Sequence, residues 1–306
     1  MTKECGQRNK NQHQNHSSVR IHLSSFPVSI MPIHRTLELT DISDAEFDRV
    51  DYAVMQHAYA IQNEFGRLFD ERIYENELAL RLRADGFIVH TQVPLKVVHG
   101  SFTKVYYLDL VVNQMVYELK VAQTLTAAHE SQCYNYAMLQ NIRRIKLLNF
   151  GSPTVKGMLL RNALAESDRH VPKLRVSGWQ ILTPNCQRMM DQLKALLADW
   201  GTHLDSLLYS EALVHFFGGE SECLQRVDVM LGDTKLGTHL IQSHSQGLAF
   251  IITSLHENQT AYLKQLQAVF DRIATQGIQW INLNHSRVEI TTLSKDKNDK
   301  GMRTEE

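Results

Sequence analysis

Three ionisable residues stand inside two short apolar runs: Asp109 in 104–112, and Glu118 and Lys120 in 115–121. Both runs are rich in β-branched and aromatic residues and read as strands. Between them lies Asn113-Gln114, and asparagine is a favoured turn residue. A two-residue hairpin there sets Val112 opposite Met115 and, counting outward, Asp109 opposite Glu118. Side chains alternate along a strand, so Lys120 shares the face of Glu118. Two directly opposed carboxylates repel. A cation between them removes that penalty, and hard oxygen donors at this spacing suit Mg²⁺ or Mn²⁺. Such an ion lowers the pKa of a bound water and stabilises charge on a phosphate. Lys120 can position the water or stabilise the developing negative charge. The alternative use of the triplet is a salt-bridge ladder on a solvated sheet face.

The elements that must position these residues follow from periodicity. Residues 41–65 read as an amphipathic helix, with Phe47, Val50, Val54, His57, Ala58, Ile61 and Phe65 at spacings of three and four. Ser43 or Asp44 can cap its start, and Gly66 interrupts it. A second helix is predicted over 70–84, with Tyr74, Leu78 and Leu82 on one stripe and Gly86 as its stop. The period then shortens. Residues 87–98 read as a strand broken near Pro94, followed by a turn at His99-Gly100-Ser101. After the hairpin, 126–141 returns to helix, with Cys133, Tyr136, Ala137 and Gln140 at helical spacing, and 144–150 is another strand. The order is helix, strand, strand, strand, helix, strand, in an α/β class of fold.

Several blocks in this order carry a resemblance. They are "GRLFDERIYENEL" with Gly66, Glu71, Tyr74 and Glu75; Gln92-Val93-Pro94-Leu95; Gly100; "LDLVVNQMVYELKV"; "LTAAHESQCYNY" with His129, Gln132 and Tyr136; and "LLNFG". Together they make residues 45–164 resemble the GxxExxY family, a branch of the PD-(D/E)XK nuclease-like proteins. The resemblance implies a restriction-endonuclease-like αβββαβ core. It also implies roles: Asp109 and Glu118 as metal ligands with help from the Leu119 carbonyl, Lys120 as the catalytic lysine, and Glu71 as an accessory carboxylate. Gln132 and His129 would reach the site from the following helix. Two departures bear on the position of Glu71. The family's Gly-Pro-Gly is Gly66-Arg67-Leu68 here, and Asp70 replaces an apolar residue. Tyr74 and Tyr136 are expected to pack helices, and Arg143, Arg144 and Lys146 form a small basic cluster able to touch phosphate.

The second half echoes the first. "WGTHLDSLLYSEAL" aligns with "FGRLFDERIYENEL", and Gly201 to Tyr209 spans the same eight positions as Gly66 to Tyr74. "GLAFIITSL", "AYLKQLQAVFDRI" and "IQWINLN" repeat the strand, helix and strand that follow. The acids are gone: Ser206 stands in the place of Glu71, and Phe250-Ile251-Ile252-Thr253 in that of Glu118-Leu119-Lys120. An internal pseudo-dimer, active in one half only, is the expectation. An unrelated α/β domain is the alternative, and a different strand order in the two halves would decide for it.

Composition narrows the classes. Lys+Arg of 32 against Asp+Glu of 33 gives a formal net charge of -1, which argues against broad non-specific binding to nucleic acid. The cysteines Cys5, Cys133, Cys186 and Cys223 form no CxxC pair, so neither a zinc site nor a disulfide framework is expected, and a cytoplasmic setting fits. No apolar run reaches the length of a membrane span. The expected organisation is a tail over 1–35, rich in Asn, Gln, His and Ser, with Met31 as a possible start. A nuclease-like domain follows over 36–165, a second α/β domain over 166–293, and a charged tail over 294–306. The expected function is metal-dependent hydrolysis of phosphodiester bonds in DNA or RNA. The alternative is a non-catalytic nucleic-acid- or protein-binding module that retains the fold. A monomer with its internal pseudo-dimer, or a homodimer, suits either.

Overall fold

A computed structural model describes Val19–Arg20 and residues 32–295. The expectations for Met31 and most of the two tails lie outside the described residues. Two short strands come first, β1 (Val19–Arg20) and β2 (Ile33–Arg35). The expected tail is therefore too long: Ile33 is buried, and β2 pairs with residues 95–97. The first half continues α1 (Asp44–Phe65), α2 (Glu71–Ala84), β3 (Val89–His99), β4 (Phe102–Val112), β5 (Met115–Lys120), α3 (Ala127–Gln140), β6 (Arg144–Asn149) and β7 (Lys156–Arg161). Then come α4 (Glu166–Arg169) and β8 (Lys173–Gly178). The second half comprises α5 (Pro184–Trp200), α6 (Ser206–Phe216), α7 (Glu220–Cys223), β9 (Leu224–Leu231), β10 (Thr234–Ser245), β11 (Leu248–Thr253), α8 (Gln259–Phe270), β12 (Gly277–Asn284) and β13 (Arg287–Ser294).

The expected αβββαβ order is present, with β7 added at its end. Helix α1 is capped by Ser43, whose side chain accepts the Glu46 N–H, and buries Phe47, Val50, Val54, Ala58 and Ile61. Strand β3 is not broken at Pro94, which pairs with Tyr107 of β4. Its missing N–H is tolerated because β2 reaches only Leu95–Val97, so the other side of β3 is an open edge at Pro94. The sheet runs β2-β3-β4-β5-β6-β7, with only β5 and β6 parallel. Helices α1 and α2 cover one face, burying Leu110, Val112, Tyr117 and Leu119. Helix α3 covers the other, over Val111, Val116 and Leu147.

The second sheet runs β1-β8-β13-β12-β11-β10-β9. Its strands β9 to β13 repeat the neighbours and senses of β3 to β7: antiparallel, antiparallel, parallel, antiparallel. The same order extends to detail. Gly66 (φ 74, ψ -150) and Gly201 (φ 76, ψ -147) end α1 and α5. Tyr74 Oη donates to the Gly66 carbonyl at 2.9 Å, and Tyr209 Oη to that of Gly201 at 2.8 Å. Asn149 pins both main-chain groups of Ala122, as Asn282 pins those of Leu255. The two halves thus share the strand order and senses of these five strands.

Candidate functional site

The β4–β5 hairpin has the expected register: Val112 pairs with Met115, Val111 with Val116 and Leu110 with Tyr117. Asn113 takes φ 53 in the turn, a left-handed conformation that asparagine tolerates. The ladder then stops one residue short of Asp109 and Glu118. On the other side β3 and β4 pair at Thr91–Leu110 and Val93–Leu108 but not at Gln92–Asp109, where Gln92 adopts φ 52. The sheet therefore opens around Asp109 on both flanks. Its carboxylate fills the gap, with Oδ2 accepting the Leu119 N–H at 2.9 Å and Oδ1 accepting from Gln92 Nε2 at 3.2 Å.

Glu118 is 1% exposed, so the solvated salt-bridge ladder is not what the fold builds. Lys120 Nζ donates to Glu118 Oε1 at 2.6 Å, and Glu71 Oε1 lies 3.7 Å from the same ammonium. Glu118 Oε2 is buried and has no hydrogen-bond partner among the described residues. Burial, then the charge of Asp109, push the Glu118 carboxyl up to about 8, although Lys120 opposes both. Burial also raises Glu71, with Asp109 and Glu75 adding to it against Lys120. For Lys120 burial acts downward, but Glu118, Glu71 and Asp109 together hold it above its ordinary value. An unpartnered carboxylate oxygen beside a second carboxylate, in a site this dry, is an electron-pair donor set that fits a divalent cation. Among the described residues no three or more His, Cys, Asp or Glu side chains gather as a ready-made metal site. The two carboxylates of Asp109 and Glu118 would leave most positions of such an ion to water, as Mg²⁺ and Mn²⁺ tolerate.

Two participants went unassigned in the sequence. Glu75, on α2, is 1% exposed. Its Oε2 accepts from Gln92 Nε2 at 2.8 Å, and Arg72 Nη1 reaches both its oxygens at 3.0 and 3.1 Å. Gln92 thus bridges Glu75 to Asp109. Both stood inside the quoted blocks, and an acid one helical turn after Glu71 was the available signal.

The remaining candidates divide. On α3, Gln132 Nε2 donates to the Tyr136 hydroxyl at 2.9 Å. Burial and then the charge of Glu118 raise the Tyr136 phenol, but among the described residues no hydrogen bond joins Gln132 or Tyr136 to Asp109, Glu118 or Lys120. His129 is not brought in: its Nδ1 accepts the Thr126 N–H at 3.2 Å, and the ring serves the start of its helix. The basic cluster is also committed elsewhere. Arg143 pairs with Asp41, Arg144 with Asp44, and Lys146 with Asp51.

This opened hairpin, with two buried acids and a lysine two residues on, is the setting in which a comparison becomes informative. Residues 48–161 match the PD-(D/E)XK nuclease superfamily. The matched span holds Glu71, Glu75, Gln92, Asp109, Glu118, Lys120 and Gln132, and it gives the first half a nuclease-like fold. No curated protein matches the chain. The second half, outside the PD-(D/E)XK match, lacks the acids. Counted from its glycine, Ser206 and Ser210 stand where Glu71 and Glu75 do. Counted from its hairpin, Gln242, Ile251 and Thr253 replace Asp109, Glu118 and Lys120. Ser210 Oγ donates to Gln242 at 2.7 Å, a neutral pair with no charge to offer a cation. No helix of the described residues is long and apolar enough to cross a membrane.

Proposed function

We propose that the chain is a divalent-cation-dependent nuclease of the GxxExxY branch that hydrolyses phosphodiester bonds in DNA or RNA. The observation that carries this is Glu118 Oε2, buried and unpartnered beside Asp109. Asp109, Glu118 and the Leu119 carbonyl would hold Mg²⁺ or Mn²⁺. The bound ion supplies a water of lowered pKa and neutralises charge at the scissile phosphate. Lys120 places a positive charge where negative charge develops, and Glu71 orients its ammonium. Gln92 holds Asp109 in position and is itself held by Glu75. Gln132, held by Tyr136, would approach the site from α3. The second half is an inactive copy whose neutral Ser210–Gln242 pair takes the place of the acids, so a monomer already contains a pseudo-dimer.

The test is calorimetry with Mn²⁺ or Mg²⁺ on the wild type and on Asp109→Ala plus Glu118→Ala, followed by hydrolysis assays on single- and double-stranded DNA and RNA. Binding should vanish in the double variant. Lys120→Ala should keep cation binding within a few-fold and lose about 100-fold or more in hydrolysis. Cation binding without hydrolysis of any of these substrates would turn the reading to a non-catalytic binding module.

A further inference from the structure

A cavity of about 370 Å³ lies between the two halves, apart from the acid cluster. Helix α3 and the end of β7 form one wall, and loops of the second half form the other. Three histidines enter it from three separate loops: His203 after α5, His256 after β11 and His285 in the β12–β13 turn. The rings of His256 and His285 lie face to face, with centroids 4.0 Å apart and planes 14° from parallel. His203 is 5.7 Å from His285. Arg161 adds a guanidinium that makes no ion pair among the described residues.

Cationic and N–H-bearing groups from four segments therefore converge on one space. The carboxylate lining it is Asp205, and its Oδ1 is committed to the Leu207 N–H at the start of α6. On α4, Asp168 and Arg169 act on His203 with opposite signs. The partly exposed ring of Tyr134, on α3, lines the same cavity.

We propose that this cavity binds a nucleotide, with Arg161, His203, His256 and His285 on its phosphate and Tyr134 against its base. The guanidinium fork matches phosphate oxygens. His256 Nδ1–H donates to Asn284 Oδ1 at 3.1 Å, so that ring offers phosphate an N–H at Nε2 when it is protonated, while His203 and His285 offer one N–H each when neutral and two when protonated. The volume lies in the range of small-ligand sites, and an aromatic face stacks any base. Free mononucleotide and the phosphorylated end of a strand present the same chemistry. The assignment stands apart from the acid cluster and does not rest on the nuclease reading.

The geometry also couples binding to protons. Two protonated rings at 4.0 Å repel. Burial and then neighbouring histidines hold His203 and His285 below the ordinary histidine value. A phosphate dianion favours the protonated rings and raises them. Protons are therefore taken up on binding, and affinity increases as pH falls. The charged and titratable groups facing these rings are Arg161, Asp168, Arg169, Asp205 and the histidines themselves.

The experiment is calorimetry on the full chain with adenosine 5′-monophosphate and with adenosine, near pH 6 and near pH 8. The monophosphate should bind about tenfold more tightly at the lower pH, and adenosine should not bind. Arg161→Gln and His256→Gln should each weaken binding by about tenfold. Both residues are exposed, so these variants fold, which circular dichroism verifies. Asp109→Asn with Glu118→Gln should leave nucleotide binding unchanged while losing the cation, which separates this site from the nuclease reading. Displacement by a 5′-phosphorylated oligonucleotide but not its 5′-hydroxyl twin assigns a strand end, and displacement by neither assigns a free nucleotide. No heat with the monophosphate near pH 6, equal affinity in the two exposed-site variants, or equal displacement by both oligonucleotides would overturn the proposal.

Discussion

Glu118 carries a penalty that something must offset. Its carboxyl titrates at about 8 instead of 4.5, because burial and Asp109 both oppose its charge. Between those two values the folded state binds more protons than the unfolded one, so this group's contribution to stability is full below about 4.5 and is lost as pH rises to 8. Without cation, Glu118→Gln should remove that slope and raise stability near pH 8 by about 1–3 kcal/mol. Urea midpoints near pH 5 and pH 8 check it: a wild type equally stable at both would show that Glu118 pays no such penalty. A cation must displace the same proton, so its apparent affinity should fall by up to about tenfold per pH unit below 8 in the wild type. Calorimetry across that range reads the slope, and a flat profile would place the ion elsewhere. At this scale the sequence was legible where geometry is local. Asp109 and Glu118 could be set opposite each other because a two-residue turn fixes a register. Glu75 and Gln92 were not legible as a bridge, because they meet only where α2 crosses an opened β3–β4 ladder. His129 had the right neighbours in sequence but was drawn into capping its own helix.

The element that repeats between the halves is a helix pair latched by a tyrosine. In each half a glycine with φ near +75 ends the first helix, and its carbonyl accepts from a tyrosine eight residues on. Tyr209→Phe loses one hydrogen bond and should cost about 1 kcal/mol, whereas Tyr74→Phe also loses the bond its hydroxyl accepts from the Phe69 N–H at 3.3 Å and should cost about 1–2 kcal/mol. The glycines should differ. A Cβ on Gly66 meets nothing within 4 Å, so Gly66→Ala costs only the strain of its backbone at φ 74, ψ -150, about 1–3 kcal/mol. A Cβ on Gly201 would stand 2.5 Å from the Arg169 carbonyl oxygen, so Gly201→Ala should cost at least twice as much. Thermal unfolding of the four variants measures both contrasts, and equal costs for the two glycines would contradict the packing described. The helices and the site hairpin were readable because apolar spacing and turn residues mark them locally. Strands β2 and β7 were not, since each depends on the one neighbour it joins at an end of the first sheet, and β8 was not, since it is held between β1 and β13. The continuity of β3 through Pro94 depends likewise on which neighbour is missing there.

The two halves share a hydrophobic core. Trp200 of α5, Leu204 of the loop that follows, and Leu208 and Tyr209 of α6 belong to one buried cluster with Leu95, Val97 and Phe102 of the first sheet, and Leu193, Leu213, Phe250 and Ile281 of the second half belong to it too. Polar contacts cross the same boundary. Trp200 Nε1 donates to the Val98 carbonyl at 2.9 Å, and Lys104 pairs with Glu211 at 2.6 Å. Asn135 of α3 accepts the Asp205 N–H at 3.0 Å. The second half, which lacks the acids, therefore still has work in this molecule: it covers apolar surface on β3, β4 and α3, the elements that carry Gln92, Asp109 and Gln132. Residues 32–165, which keep β2, expressed alone should aggregate, or should collapse without a cooperative transition. Each large apolar side chain uncovered on that face forfeits about 1.5–3 kcal/mol, and a few of them equal the whole stability of an ordinary domain. Co-expression with 166–295 should restore a soluble complex of the two pieces. Size-exclusion chromatography and thermal unfolding of the isolated piece decide the matter. A soluble fragment that melts cooperatively and binds cation as the full chain does would show the second half to be dispensable for the site, and its retention would then rest on the nucleotide cavity between the halves.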